Sequence, residues 1–265
     1  MYQVIDYNYY TKKVIIRDDE LGWQEIDYKP TYYKLDDNGE FFTLDGKRVS
    51  PTHEMDKTQP TKFYEIDIPT ETNALVDIYK ESDDTPKWHN VVFLDIECEI
   101  GGALTVEYIK RAPMKITSVA LYDSTLKKYY CLILDEKQQL ERVEEEGKEI
   151  IPFNNEKNLL KGFLDKWEEC DPTIISGWNS EFFDIPYLYH RMCNVLGNDQ
   201  ANRLSPLKRC KPSGYNDEET IKISGINHLD YMLLHKKFIM SQEPSYALAA
   251  IGEKYVKLGK IEYEG

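Results

Sequence analysis

An α/β domain preceded by a β-rich segment is the fold class this sequence predicts, and three observations predict it. Before Trp88, short strand-like runs are split by polar, turn-prone residues. The stretch Glu81-Ser82-Asp83-Asp84-Thr85-Pro86-Lys87 then reads as a linker. From Trp88 onward, buried-strand runs alternate with helical periodicity. The 265 residues thus divide into a β-rich domain over 1–87 and an α/β domain over 88–265.

In the first domain, strands are expected at 2–5, 13–16, 31–34, 40–43 and 62–66. The turn Asp36-Asp37-Asn38-Gly39 ahead of Glu40-Phe41-Phe42 signals a hairpin. Tyr2, Tyr7, Tyr9, Tyr10, Tyr28, Tyr32 and Tyr33 are expected to pack one face of a sheet with their hydroxyls wet. In the second domain, 91–98 is a buried-strand run interrupted by two carboxylates. Strands at 116–123 and 128–134 follow, joined by the turn Asp123-Ser124. A helix over 154–169 carries Leu159, Leu160, Phe163, Leu164 and Trp167 on one face, with Asn154 or Asn155 as its cap. A short strand over 173–176 and a helix over 182–196, closed by Gly197, complete the order. Three strands, a helix, a strand and a helix on a mixed sheet are the order of a ribonuclease-H-like α/β (α+β) fold. The charged run 141–149 reads as a solvated loop.

Composition narrows the function. Lys and Arg number 33 against 47 Asp and Glu, a net charge of −14. That sign argues against a free-standing, non-specific binder of phosphate backbone. It leaves open an acidic site that meets nucleic acid through metal ions. At 41% hydrophobic and 30% charged, the chain has the apolar material for a core and is not disordered. Five scattered cysteines with no close pair imply neither a disulfide framework nor a structural zinc site, which favours a reducing compartment. No apolar run reaches membrane-spanning length, and the first residues lack the pattern of a signal peptide. A soluble, intracellular protein without a membrane partner is expected.

Asp95 and Glu97 are the most informative residues. A period of two puts both on the same face of one strand, where they repel each other unless cations intervene. Taken alone, the pair is also compatible with a strand end facing water. A second cluster, Ser176-Gly177-Trp178-Asn179-Ser180-Glu181-Phe182-Phe183-Asp184, follows a buried strand and enters a helix. Asp184 stands near that helix start, where the dipole favours an anion and where a simple capping role is the alternative. Three acids delivered by a strand and the adjoining strand–helix junction suit hard divalent cations, Mg²⁺ or Mn²⁺. Two such ions ~3.5–4 Å apart can clamp a phosphodiester for attack by water.

Leu94-Asp95-Ile96-Glu97, and the run from Gly177-Trp178-Asn179 through Glu181, Phe183-Asp184 and Pro186-Tyr187, resemble the first and second exonuclease motifs of family B DNA polymerases. The likeness is to the T-even bacteriophage type. It extends to Tyr122-Asp123-Ser124, to Asn194–Gly197 ahead of Arg203 and Ser205-Pro206, and to Leu229-Asp230-Tyr231 before Lys236-Lys237-Phe238. Pro244-Ser245-Tyr246, Leu248, Lys257, Gly259-Lys260, Tyr263 and Gly265 continue it. The resemblance covers Trp88 to the end, and before Trp88 it rests on position and β texture. It implies a 3′–5′ proofreading domain acting on the single-stranded 3′ end of DNA in the cytoplasm of an infected bacterial host. Palm, fingers and thumb would then lie elsewhere, in cis or on a second chain.

Carried over to these positions, Asp95 bridges two metals, Glu97 completes the first and Asp184 holds the second. Asn179 and Phe183 shape the pocket for the terminal nucleotides. Arg203, Lys208, Arg209 and Lys211 fall where the family approaches a strand-separating hairpin, here near 211–223; a solvated loop is the alternative. His190, His228 and His235 lack metal-ligand spacing and are expected to be structural. The family's third motif, a Tyr and an Asp four residues apart on a later helix, is absent downstream of Asp184. Tyr215 with Glu219 is the nearest match, in a polar loop. The expected identity is therefore an N-terminal fragment or split subunit carrying most of a proofreading exonuclease. The alternatives are a non-catalytic nucleic-acid-binding or split-polymerase assembly module, and a stand-alone exonuclease.

Overall fold

The computed structural model describes residues 1–99, 101–214, 218–239, 241–257 and 259. The expectations on Tyr215, Lys260, Tyr263 and Gly265 lie outside them. Two compact units are found, Met1–Trp88 and His89–Gly265.

In the first unit, β1 (Tyr2–Asn8), β2 (Lys13–Asp18) and β3 (Gly22–Asp27) form an antiparallel meander. Val14 and Ile16 of β2 pack with Tyr7 and with Ala74 of helix α1 (Thr70–Tyr79). The tyrosines divide: Tyr2 and Tyr28 pack against this core, whereas Tyr9 and Tyr10 are exposed. A second sheet has the order β5-β6-β4-β7, from β4 (Tyr32–Leu35), β5 (Phe41–Phe42), β6 (Arg48–Thr52) and β7 (Phe63–Tyr64). The turn at Asp36–Gly39 forms, with the Gly39 N–H donating to the Asp36 carbonyl at 2.8 Å. It does not close the expected hairpin, because β4 pairs with β6 and β7 instead of β5. Strand β6 inserts between them at Gly39, where a Cβ would stand 2.3 Å from the Val49 carbonyl oxygen.

The second unit is a mixed α/β structure on a seven-stranded sheet of order β11-β12-β10-β9-β8-β13-β16. Its centre is β8 (Val91–Cys98), antiparallel to β9 (Ile116–Asp123), which is antiparallel to β10 (Lys128–Leu134). Helix α2 (Val106–Arg111) lies between β8 and β9 in sequence. Val92, Leu94 and Ile96 of β8 join Val119, Leu121 and Leu132 in one core. It includes Leu159, Phe163 and Trp167 of α3 (Glu156–Cys170), and Tyr187 and Leu188 of α4 (Asp184–Leu196). Asn155 caps α3, its side chain accepting the Asn158 N–H at 2.9 Å.

The charged run at 141–149 is not a loop. It contains β11 (Val143–Glu145) and the start of β12 (Lys148–Phe153), which runs parallel to β10. Glu149 is buried between the Lys128 ammonium at 3.1 Å and the Arg142 guanidinium, so the acid is paired inside the sheet. Beyond β8, short β13 (Ile174–Ser176) and β16 (Asn227–His228) extend the sheet in parallel. The antiparallel pair β14 (Cys210–Ser213) and β15 (Thr220–Ile223) stands apart as its own two-stranded sheet. Helices α5 (Asn198–Ala201), α6 (Tyr231–Phe238) and α7 (Leu248–Ile251) complete the described α-helices.

Candidate active site

Strand alternation sorts the side chains of β8. Val92, Leu94 and Ile96 are buried beneath the helices, while Phe93, Asp95 and Glu97 project from the opposite, exposed face. The expected pairing of Asp95 and Glu97 on one face is what the strand presents.

The edge of β8 positions the third acid. Strand β13 pairs with β8 only as far as Ser176 opposite Phe93. There Gly177 turns the chain across β8 so closely that a Cβ would lie 2.6 Å from the Leu94 carbonyl oxygen. Residues 179–183 form a tight turn, with Phe182 and Phe183 N–H groups directed at the Asn179 carbonyl at 3.3 and 3.1 Å. Asn179 adopts a left-handed φ of 65°, a conformation that Asn tolerates better than most residues. Helix α4 therefore begins at Asp184, two residues later than its apolar pattern suggests. Asp184 Oδ1 accepts the Ile96 N–H at 3.0 Å, taking a backbone donor on β8 past the last residue paired with β13.

Asp184 is 4% exposed. Burial pushes its carboxyl up to about 7; the Ile96 N–H opposes this and the Asp95 charge adds to it. Asp95 and Asp184 are thus electrostatic neighbours. Their hard oxygen donors match the chemistry of Mg²⁺ or Mn²⁺, and the repulsion stored there is what a divalent ion relieves. Among the described residues, however, no three His, Cys, Asp or Glu side chains are gathered closely enough to hold an ion as they stand.

Two concavities lie in this part of the unit, one walled by the turn that leads into Asp184 and one by Asp95 itself. A cavity of about 530 Å³ is lined by Asn179, Phe183, Leu104, Met232, Lys236 and Glu219 among others. The two expected pocket residues, Asn179 and Phe183, share this wall. Glu219 is committed elsewhere: its carboxylate meets Lys110 Nζ at 2.8 Å and His190 Nε2 at 2.6 Å. A second, apolar groove of about 860 Å³ lies on the open sheet face beside Asp95, lined by Phe93, Tyr122, Tyr129, Trp178 and Tyr231. The Tyr122 and Tyr129 rings are 4.5 Å apart, and Phe93 stands 6.2 Å from Tyr122.

The basic residues are not brought to these concavities. Arg203 donates to Asp165 and Glu168 at 2.7 Å each, and Lys208 reaches the same Glu168 at 2.7 Å, so both are tied to α3. Arg209 Nε donates to Ser224 Oγ at 2.9 Å, and Lys211 is exposed on β14. His228 Nε2 lies 3.0 Å from Ser180 Oγ, and burial lowers its pKa to about 4. His235 packs against Trp178 with ring centroids 6.0 Å apart. Sequence reasoning noted Asp230 only within the Leu229-Asp230-Tyr231 likeness and gave it no role. Its carboxylate accepts N–H groups from Asn179 and Glu181 as well as from the start of α6.

The profile of DNA polymerase family B, exonuclease domain, matches residues 29–251. The chain belongs to this family. Over 119 residues it is 43% identical to the DNA-directed DNA polymerase of Escherichia phage RB69, and over 119 residues 37% identical to that of Enterobacteria phage T4. Each match covers 43% of this chain and 13% of the relative. The DNA polymerase of Thermococcus litoralis is 30% identical over 114 residues, 41% of this chain and 6% of the relative. The family B exonuclease chain thus spans a small fraction of the length of the polymerases it matches. No described helix is long and apolar enough to cross a membrane.

Proposed function

We propose that this chain carries most of the 3′–5′ proofreading exonuclease of a phage-type family B DNA polymerase, on a ribonuclease-H-like domain over 88–265. Its substrate is the single-stranded 3′ end of DNA in the cytoplasm of an infected bacterium. The observation that carries this is the seating of Asp184 on the β8 backbone at Ile96, beside Asp95 and on the strand that presents Glu97.

Asp95, Glu97 and Asp184 would hold Mg²⁺ or Mn²⁺, which when bound neutralises charge on the scissile phosphate and activates water. The chain's own residues do the rest. Asn179 and Phe183 bound the cavity that takes the terminal nucleotides, and Phe183 is fixed by its ring contact with Tyr187 at 5.8 Å. Tyr187 is anchored in turn, accepting the Met114 N–H at 3.0 Å and donating to the Met114 carbonyl at 2.9 Å. Lys236 borders the cavity, with its ammonium over the Tyr246 ring at 4.8 Å. Lys211 contacts the departing strand, while Arg203 and Lys208 hold α3.

The rest of the polymerase, in cis or as a second chain, supplies the acid and the water-orienting phenol missing here. The exposed rings of Phe93 and Tyr129, with half-buried Tyr122 between them, support this part of the proposal. The groove they line beside Asp95 is apolar, and the relatives extend far beyond the matched region. We assign that groove to polypeptide from the polymerase remainder.

With a charge of −14, few cations are available to displace DNA counterions. Filter binding or fluorescence anisotropy on the isolated chain should find single-stranded oligonucleotide held weakly, and more weakly as salt rises. A tight, salt-insensitive complex would favour a non-catalytic nucleic-acid-binding module instead.

A further inference from the structure

We propose that Asp230 is a positioning residue for the exonuclease site, a role that rests on the 3′-end function above. It follows β16, is 2% exposed, and serves two elements at once. Oδ1 caps α6 by accepting the Met232 and Leu233 N–H groups at 2.9 and 3.1 Å. The same oxygen takes the Asn179 N–H at 3.3 Å, while Oδ2 takes the Glu181 N–H at 3.0 Å and meets Ser180 Oγ at 3.5 Å.

Around it, the segments 176–181 and 228–231 are laced together. Ser176 Oγ donates to the Leu229 carbonyl at 2.7 Å, and the Tyr231 N–H donates to the Gly177 carbonyl at 2.9 Å. The turn so held contains Asn179 in its left-handed conformation and leads directly into Asp184. A carboxylate suits this position because it has only acceptors, and all of the donors converging on it are N–H or O–H groups. Asp230 touches neither the 530 Å³ cavity nor β8; it acts through the turn that brings Asn179 to one and Asp184 to the other.

Asp230→Asn separates the two duties. Asn caps helices as well as Asp does, so its oxygen stays where Met232, Leu233 and Asn179 converge. The Ser180 hydroxyl can rotate to accept from the new amide, which leaves the Glu181 N–H facing a donor. Amide hydrogen exchange, melting temperature and Ca²⁺-supported binding of a short 3′-hydroxyl oligothymidylate at low salt are measured on wild type, Asp230→Asn and Asp184→Asn.

The expected result for Asp230→Asn is exchange at least about tenfold faster at Glu181, with Met232 and Leu233 still protected. Oligonucleotide binding weakens by about tenfold at a nearly unchanged melting temperature. Unchanged binding with the Glu181 amide opened overturns the proposal, as does simultaneous loss of protection at all of these amides, which would make Asp230 a helix cap alone. If wild type and Asp184→Asn bind the oligonucleotide alike with and without Ca²⁺, the 3′-end function fails. In that case an unchanged Glu181 exchange rate would separately reject Asp230 as the holder of the turn.

Discussion

Incubated with Mg²⁺ or Mn²⁺, the 265-residue chain alone should remove nucleotides from a 3′-labelled single strand barely above background. Hydrolysis between two ions requires both at a fixed separation, with water aligned behind the phosphorus. In the proposed site Asp95 and Asp184, which feel each other electrostatically, would share one ion. The other ion would have Asp95 and Glu97 but not the acid of the third family motif, and Mg²⁺ held by so few protein ligands exchanges readily. Loss of a ligand together with the water-orienting phenol costs on the order of several kcal/mol in the barrier, or roughly thousands-fold in rate. Adding the downstream polymerase segment, in cis or in trans, should restore activity that Asp95→Ala or Asp184→Ala then abolishes. Vigorous digestion by the chain alone, lost on Asp95→Ala, would mean that another residue fills the missing place.

Metal-free, the contribution of Asp184 to stability should fall as pH rises from about 4 to about 7. It runs against the opposite trend of buried His228, and it is read as the difference from Asp184→Asn. The Asp184 carboxyl titrates near 3.8 when unfolded and is pushed up to about 7 when folded, chiefly by burial. Between those values the folded state keeps a proton that the unfolded state gives up. Stability from this group is therefore greatest below about pH 4, falls through the window, and is flat above about 7. A span of about three pH units corresponds to roughly 4 kcal/mol. Asp184→Asn retains an acceptor for the Ile96 N–H and carries no charge. In urea denaturation with EDTA, the difference between wild type and Asp184→Asn should move by that amount across the window. Parallel profiles would show that Asp184 ionises freely in the fold. Mg²⁺ at pH 7 should recover part of the loss in wild type and none in Asp184→Asn.

Strands β8, β9 and β10 and helices α3 and α4 are legible in the sequence because one face of each carries an uninterrupted apolar pattern. The same logic fails where pairing is decided at a distance. Glu149 reads as solvent-facing until Lys128 of β10 and Arg142 close on it, which hid β11 and β12 inside a charged run. The Asp36–Gly39 turn forms, but local chemistry could not reveal that β6 would insert between the strands it joins. Helix α1, over Thr70–Tyr79, buries little more than Ala74 and has no strong apolar stripe to announce it.

At the site, strand period alone puts Asp95 beside Glu97. The contact of Asp184 with Ile96 depends on Gly177 carrying the chain across β8, a long-range approach that spacing does not encode. The role of Asp230 was hidden for the same reason: it lies about fifty residues from the turn whose N–H groups it accepts. Arg203 and Lys208, which the family likeness sets on the approach to a strand-separating hairpin, pair with Asp165 and Glu168 of α3, partners that spacing alone does not reveal.

The most direct test of the central claim, that Asp95, Glu97 and Asp184 form a divalent-ion site on β8, is anomalous diffraction from crystals of the chain soaked in Mn²⁺. The expected map has a manganese peak between the Asp95 and Asp184 carboxylates, absent from Asp184→Asn crystals soaked in the same way. A map without manganese at β8, or with its peak unchanged in Asp184→Asn, would contradict it.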